Sequence, residues 1–188
     1  MDSLFPQDPI FPKGFSYIPD FLSVNEEAAL VDLISKISLH TFIFQGYEAK
    51  RKVASFGYDY SFEKRTLTKG QRIPEEFQWL IDKVNVLLTR TNDFAELLVT
   101  EYPPGSVINW HRDAPPFDII VGISLLTDCT FRFRPHDKAL QTRKAILSVP
   151  LQRRSLYVIQ GEARSDWQHS ILPVTRLRYS ITLRTLRK

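Results

Sequence analysis

The second half of the chain is a series of short β-rich runs, and this pattern restricts the possible fold more than any other feature of the sequence. Proline, glycine or aspartate stands between most of the runs, with turns predicted at 103–105, Pro150 and Gly161. Strands this short and this closely spaced favour a double-sheet jelly roll, also called a double-stranded β-helix. The predicted strands are 96–102, 107–113, 119–126, 130–134, 144–149, 155–159 and 178–185.

Two helices are predicted before the first of these runs. Ser23 and Glu26 have the spacing of a capping box, in which the serine oxygen and the glutamate carboxylate satisfy free backbone N–H groups. Apolar residues then recur at helical spacing up to Ile37, and a second helix is predicted from Pro74 through Leu88. The predicted fold class is α+β, with a jelly-roll core and two N-terminal helices packed on one sheet.

Length and composition limit the kind of protein further. The 188 residues are 43% hydrophobic, and no internal repeat or linker divides them, so one domain is expected. Residues 1–93 would form an N-terminal arm, the helices and a lid, and residues 94–188 the jelly roll. No run approaches the roughly 20 apolar residues of a membrane span, and no signal peptide is visible. The single cysteine, Cys129, fits a reducing compartment, so a cytoplasmic monomer is expected.

His111, Asp113 and His169 are the candidate metal ligands. Residues i and i+2 of a strand point to the same side, so His111 and Asp113 would converge on one ion if the strand is regular. Asn109 would share this inward face, while Trp110 would point outward. Two imidazoles and one carboxylate can occupy one face of an Fe(II) octahedron and leave positions open for a cosubstrate and O₂. The same ligands also suit Zn²⁺, which would make the protein a hydrolase.

Arg178 and Arg184 are also an even number of residues apart, so on a regular strand both guanidiniums point toward one interior. A guanidinium binds a carboxylate through its planar fork, and 2-oxoglutarate carries two carboxylates. One arginine would then hold the distal carboxylate, and the other would lie near the end that chelates iron. The alternative is a basic strand whose arginines are solvated or salt-bridged.

These elements together resemble the AlkB family of Fe(II)/2-oxoglutarate dioxygenases across roughly the C-terminal half of the chain. The resemblance implies that Fe(II) is the cofactor, with 2-oxoglutarate and O₂ as cosubstrates. It also implies that Tyr102 contacts 2-oxoglutarate, and that Thr100 stands where family members often carry an asparagine. The matching elements are Glu101-Tyr102-Pro-Pro-Gly105, His111-Arg-Asp113, His169 and Arg178-Tyr-Ser-Ile-Thr-Leu-Arg184.

A second and looser resemblance covers residues 50–60, where basic residues precede aromatic ones as in the nucleotide-recognition lid of AlkB homologues. Basic side chains can contact phosphates, and an aromatic side chain can stack on an extruded base. The alternative is an aromatic strand packed on the core with a solvated, charged start. The candidate substrate-binding residues are Lys50, Arg51, Phe56, Tyr58 and Tyr60.

The resemblance implies oxidative demethylation of alkylated DNA or RNA bases, with release of formaldehyde, succinate and CO₂. The partner would be single-stranded nucleic acid or a base flipped out of a duplex, and the net charge of +4 is compatible with this. Three alternatives remain: an AlkB-like hydroxylase or demethylase of tRNA wobble bases or of protein side chains, the zinc hydrolase, and a noncatalytic nucleic-acid-binding module.

Overall fold

The computed structural model describes residues 11–44, 46–61, 64–89 and 92–188, so the first ten residues of the predicted arm lie outside the described residues. The helices are α1 (Val24–Ser35), α2 (Gln78–Leu87) and α3 (Gly161–Ser165), and a 3₁₀ turn at Glu75–Phe77 leads into α2. The strands are β1 (Phe15–Ile18), β2 (His40–Phe44), β3 (Tyr47–Ser61), β4 (Thr66–Lys69), β5 (Phe94–Tyr102), β6 (Ile108–His111), β7 (Phe117–Leu125), β8 (Cys129–Pro135), β9 (Leu147–Leu151), β10 (Leu156–Ile159), β11 (Trp167–Ile171) and β12 (Arg178–Leu186).

These strands form two antiparallel sheets. The large sheet has the order β1-β10-β7-β12-β5-β3-β2, with β4 paired to β3, and the small sheet has the order β6-β11-β8-β9. From β5 onward the chain alternates between the sheets except at β8 and β9, which follow each other in the small sheet; β5, β7, β10 and β12 belong to the large sheet and the rest to the small one. This is the connectivity of a jelly roll.

Two hydrophobic clusters lie on opposite faces of the large sheet. One lies between the large sheet and the helices and includes Leu30 of α1, Leu80 of α2 and Leu97 of β5. The other lies between the two sheets and includes Phe131 of β8 and Phe117 of β7. Because side chains alternate along β5, Leu97 and Val99 face the helices while Tyr102 faces the small sheet.

The strand predicted over 107–113 is shorter in the structure, and this changes how Asp113 reaches the other two metal ligands. Strand β6 ends at His111, so Asp113 lies in the loop that follows it and not on the same regular strand. Pro115 and Pro116 come next, and proline cannot donate a ladder hydrogen bond. The regular strand expected through Asp113 is therefore wrong, but His111 and Asp113 still converge, because the loop brings Asp113 to the histidine.

Several other boundaries differ from the sequence prediction. Pro150 lies inside β9 and not in a turn, which is possible because β9 is an edge strand. Gly161 begins the short helix α3. Residues 167–171, which were not among the predicted strands, form β11 between β6 and β8 in the small sheet. The strands β1, β2 and β4 were not predicted, whereas β3 contains residues 50–60, for which an aromatic strand with a charged start was one of the two interpretations.

The capping box of α1 is confirmed, and its neighbour Glu27 has a structural role that the sequence did not reveal. The Ser23 hydroxyl accepts from the Glu26 amide at 3.2 Å, and the Glu26 carboxylate accepts from the Ser23 amide at 2.7 Å. The carboxylate of Glu27 accepts from the Leu126 amide at 2.8 Å and pairs with Arg153. Helix α1 is thereby fixed to the turn after β7.

We expect Glu27→Gln to lower the free energy of unfolding by about 1–3 kcal/mol at neutral pH. Burial raises the pKa of Glu27, but the hydrogen bonds from Arg153 and Leu126 outweigh it and lower that pKa below 4.5. The contribution is therefore complete above pH 4.5 and is lost as the pH falls through the lower folded-state pKa. Urea unfolding of both proteins at several pH values measures this difference, which should shrink in acid. Asp32→Asn, at an exposed pair with Lys36, is the control and should have almost no effect.

Candidate active site

His111, Asp113 and His169 meet between the two sheets. Their ligand atoms all lie within 4.8 Å of one another, and Nε2 of His169 is 3.4 Å from Oδ2 of Asp113. His111 ends β6, and its cross-strand partner on β11 is His169, with the two ring centroids 4.3 Å apart. The ring of Phe131 stacks on His169 at 5.3 Å. The three side chains can hold one metal ion.

The protonation states of these groups suit metal binding. Burial lowers the pKa of His169 to about 3, and burial also lowers the pKa of His111. Burial alone would raise the pKa of Asp113, but Arg184 above all lowers it well below the usual range. At neutral pH both imidazoles are therefore neutral and the carboxylate is ionised, as metal ligands must be.

Arg184 is bound by two carboxylates. Its Nη2 and Nε donate to Oδ1 of Asp113 at 2.7 and 3.0 Å, while Nη1 donates to Oε2 of Glu96 at 2.5 Å. Glu96 is 3% exposed and lies opposite Arg184 on β5. The arrangement leaves Oδ2 of Asp113 directed to His169. Arg184 thus orients the aspartate of the triad.

Arg178 has a different environment. The side chain is fully buried, its Nε donates to the Ser124 hydroxyl at 3.1 Å, and its guanidinium lies 4.8 Å from the centre of the Tyr102 ring. Nη1 and Nη2 have no hydrogen-bond partner. A buried cation without an anion is costly, and a carboxylate accepts from both terminal nitrogens of a guanidinium at once. The two free nitrogens therefore fit one carboxylate of a bound acid such as 2-oxoglutarate.

Tyr157 lies close to Arg178 because Gly122 leaves room for its ring. Tyr157 on β10 and Gly122 on β7 are cross-strand partners, and a Cβ on Gly122 would lie 2.1 Å from the Tyr157 ring. We expect Gly122→Ala to displace this ring and to weaken 2-oxoglutarate binding by about tenfold, since overpacking costs about 1–3 kcal/mol. Isothermal titration calorimetry measures the affinity. Gly70→Ala is the control, because the added methyl group meets only the Gly57 carbonyl at 3.4 Å, and unchanged binding in Gly122→Ala would contradict the expectation.

The other predicted cosubstrate residues differ in position. Tyr102 is buried between the sheets beside Arg178, and Thr100 is buried on the same strand opposite Ser180. Asn109 was expected to point inward near the metal, but it is exposed. It contacts the site through its backbone carbonyl, which lies 2.8 Å from Nδ1 of His111 and fixes the orientation of that ring.

Arg51 and Lys50 lie on the part of β3 that borders the site. Arg51 is partly buried with its guanidinium 4.0 Å from the centre of the Phe42 ring, and its charge acts on His111 and Tyr102. Lys50 is exposed, and its Nζ lies beside Gly105 in the Pro-Gly turn. Arg51 therefore lies on the side of β3 that faces the site, and Lys50 lies beside the turn after β5.

The predicted aromatic residues of this segment fall into two groups. Phe56 is paired with Leu97 and packs on the helix side of the large sheet, where it lines a cavity of about 520 Å³. Its predicted stacking on a base is therefore wrong, because the triad lies on the other side of that sheet. Tyr60 packs against the core between the sheets, and Tyr58 is partly buried on the same hairpin, β3–β4.

Three residues of the site were not predicted. Glu96 and Ser124 bind the two arginines, and Arg164, 5% exposed, donates to the carbonyls of Asp113, Ala114 and Phe117. Arg164 therefore holds the loop that carries Asp113. A glutamate inside the apolar run of β5 was a visible signal for a buried ion pair. Neither the serine nor Arg164 stands out in the sequence.

Residues 14–184 match the model of the 2OG-Fe(II) oxygenase superfamily, where 2OG denotes 2-oxoglutarate. The chain belongs to this superfamily. The triad and the free guanidinium of Arg178 fit the iron and the oxoacid that the family uses. These residues form an AlkB-like dioxygenase domain whose cofactor is Fe(II) and whose cosubstrates are 2-oxoglutarate and O₂.

Two relatives are similar over most of the chain. The mouse tRNA (carboxymethyluridine(34)-5-O)-methyltransferase ALKBH8 is 27% identical over 169 residues, which are 86% of this chain and 24% of that protein. The Arabidopsis thaliana Alkylated DNA repair protein ALKBH8 homolog is 28% identical over 186 residues, which are 84% of this chain and 50% of that protein. The chain thus spans half or less of the length of these relatives.

Two solved structures show the same fold. OsALKBH1 matches with a TM-score of 0.70 and 16% identity, over 96% of this chain and all of that chain. A prolyl hydroxylase from Trichoplax adhaerens, in complex with a hypoxia inducible factor peptide, matches with a TM-score of 0.65 and 17% identity, over 92% of this chain and 83% of that chain. Among the described residues, no helix is long and apolar enough to cross a membrane.

Proposed function

We propose that the protein oxidatively demethylates alkylated bases in single-stranded or unpaired nucleic acid, as part of DNA or RNA repair. His111, Asp113 and His169 would hold Fe(II), and Arg178 would bind the distal carboxylate of 2-oxoglutarate. When held by these residues, Fe(II) would supply the chemistry that couples oxidative decarboxylation of 2-oxoglutarate by O₂ to oxidation of an N-methyl group. The products are succinate, CO₂, formaldehyde and the unmethylated base.

The residues around the iron position its ligands and exclude water. Arg184 orients the Asp113 carboxylate, and the Asn109 carbonyl orients His111. Phe131 covers one face of His169, and Phe117 lies below Arg184 at 5.5 Å. Oxygen chemistry requires such packed and oriented side chains, because they fix the substrate and shield reactive species from water.

The observation that carries the choice of substrate is Arg51. The structure shows no carboxylate within 4.0 Å of its guanidinium among the described residues, and its charge acts on His111. A cation at this position favours a substrate with a phosphate next to the reacting base. The β3–β4 hairpin would be the lid over the base, with Tyr60 or Tyr58 as the stacking residue. The names of the relatives, which refer to tRNA and alkylated DNA, support a nucleic-acid substrate.

This proposal is tested with single-stranded DNA and RNA oligonucleotides that carry N-methylated bases. We expect equal amounts of formaldehyde and succinate, and Arg51→Gln should lower kcat/KM for the oligonucleotide by about tenfold or more through loss of a phosphate contact. Lys52→Gln is the matched control, because Lys52 pairs with Glu101 and lies on the helix side of β3. Absence of formaldehyde with every methylated oligonucleotide would contradict the proposal.

A second candidate is hydroxylation of a modified wobble uridine in tRNA. The observation in its favour is that the mouse relative, named for a reaction at tRNA position 34, matches 86% of this chain. The same active site would then add a hydroxyl group that stays on the base. Succinate without formaldehyde, together with an added oxygen in the mass of tRNA nucleosides, would favour this candidate.

A further inference from the structure

The outer face of the small sheet is basic. Its strands β6, β11, β8 and β9 contain no aspartate or glutamate. Along β8 the side chains of Phe131 and Phe133 point into the core, so Arg132 and Arg134 point outward. The 136–146 connection to β9 adds three exposed cations, Lys138, Arg143 and Lys144.

Arg132 and Arg134 are held in place by one aromatic ring and two hydrogen bonds. The centre of the Trp110 ring lies 4.7 Å from the guanidinium carbon of each arginine. Nε of Arg132 donates to the Ser170 hydroxyl at 3.1 Å, and Nε of Arg134 donates to Oε1 of Gln168 at 2.7 Å. We call Arg132 and Arg134, which share the Trp110 ring, the outer arginine pair.

Their remaining nitrogens are available to an anion. Within residues 11–44, 46–61, 64–89 and 92–188, no carboxylate lies within 4.0 Å of either arginine, whereas Arg153, Arg154 and Arg184 each have at least one. Two like charges on one ring repel each other, so an anion between or above them is favoured. Planar guanidiniums bind phosphate oxygens through paired hydrogen bonds.

The outer arginine pair lies on the same strands as the metal ligands. Trp110 precedes His111 on β6, and Gln168 and Ser170 flank His169 on β11. Because alternate residues of a strand point to opposite faces, this sheet carries the triad on its inner face and the arginines on its outer face. Strand β6 is an edge strand, so a chain that leaves the site can pass over this edge to the outer face.

We propose that the outer arginine pair binds phosphodiester groups of the nucleic-acid strand, at nucleotides flanking the base in the active site. This inference rests on the proposed function and extends it to a second contact surface. A phosphodiester backbone fits better than an acidic peptide. Its charges repeat along the strand, so several phosphates can meet the cations at Arg132, Arg134, Lys138, Arg143 and Lys144, and the fork geometry of arginine matches phosphate. The result is a longer binding site and not a second catalytic site.

The test is fluorescence anisotropy of a labelled, unmethylated single-stranded RNA at several salt concentrations. We expect the double variant Arg132→Gln/Arg134→Gln to lower affinity at least about tenfold at low salt. It should also reduce the slope of log K against log salt by about 1.4, as for two lost phosphate contacts on a single strand. Trp110→Leu keeps both charges but removes the ring, and should give a smaller loss. The charge-matched control is Lys36→Gln/Arg72→Gln, at exposed positions near the cavity on the helix side, and it should bind almost like the wild type.

The outcomes separate this inference from the proposed function. If the double variant binds RNA like the wild type while the wild type still demethylates oligonucleotides, the outer-face site is wrong and the function stands. If the control loses as much affinity as the double variant, general charge explains the binding and the inference is also wrong. An equal loss of affinity for poly-glutamate would contradict the choice of a phosphodiester ligand. A wild type that neither binds nor demethylates nucleic acid would overturn both proposals.

Discussion

Replacing Arg178 with methionine is expected to remove 2-oxoglutarate binding without lowering the stability of the ligand-free protein. Truncating one partner of a buried charge pair costs about 2–5 kcal/mol, which weakens the affinity about 30-fold to several thousand-fold. In the ligand-free protein the guanidinium is fully buried with two nitrogens unpaired, so methionine removes an unfavourable charge. Calorimetric titration with 2-oxoglutarate measures the affinity. Thermal unfolding with and without 2-oxoglutarate measures the stability.

Arg164→Met is the matched control for this variant. Arg164 is also a buried arginine, but one of its terminal nitrogens donates to three backbone carbonyls. Its removal leaves those carbonyls without a donor, and we expect a clear fall in Tm. If Arg178→Met lowered the ligand-free Tm as much as Arg164→Met, or kept normal 2-oxoglutarate affinity, the role of Arg178 as a carboxylate site would be wrong.

Replacing Arg184 with methionine, in contrast, is expected to lower the stability of the ligand-free protein. The change leaves Asp113 and Glu96 buried without their common partner, and breaking such a pair costs about 3–5 kcal/mol. For a chain of this size the Tm should fall by on the order of 10 °C. Differential scanning calorimetry measures the fall. Binding of Co²⁺ as a spectroscopic probe should also weaken, because Asp113 loses the group that orients it.

A second substitution distinguishes the loss of the ion pair from the loss of side-chain packing. The double variant Arg184→Met/Glu96→Leu removes one of the two orphaned carboxylates, so it should recover part of the lost stability but not the Co²⁺ affinity. Equal stability of Arg178→Met and Arg184→Met in the absence of ligand would contradict the distinct roles assigned to the two arginines.

The two arginines show how far the sequence could predict the site. Their even spacing on one strand predicted that both face the interior, and the structure confirms that both are largely buried between the sheets. Their different roles depend on Glu96 and Ser124, which come from other strands of the sheet. Pairings between distant strands leave no local pattern, so the sequence predicted two roles for the arginines but left open which arginine has which role.

The fold was predictable where side-chain alternation is strong. The jelly-roll strands β5, β7 and β12 follow apolar patterns and were expected within a few residues. Strand β3 was only one of two interpretations of residues 50–60, because it mixes charged and aromatic residues, and its face assignment is set by pairing with β5. Phe56 was placed wrongly for that reason. Asp113 was assigned as a ligand, but its position depends on a loop that Arg164 and Arg184 hold.

The most direct test of the central claim is a single-turnover reaction. The protein is loaded without oxygen with Fe(II), 2-oxoglutarate and an oligonucleotide that carries one N-methylated base, and O₂ is then added. Mass spectrometry should show loss of the methyl group with one formaldehyde and one succinate per base, and none of these in His169→Ala. Methyl loss without O₂, or an unchanged oligonucleotide with zinc-dependent hydrolysis of another substrate, would contradict the assignment as a nucleic-acid demethylase.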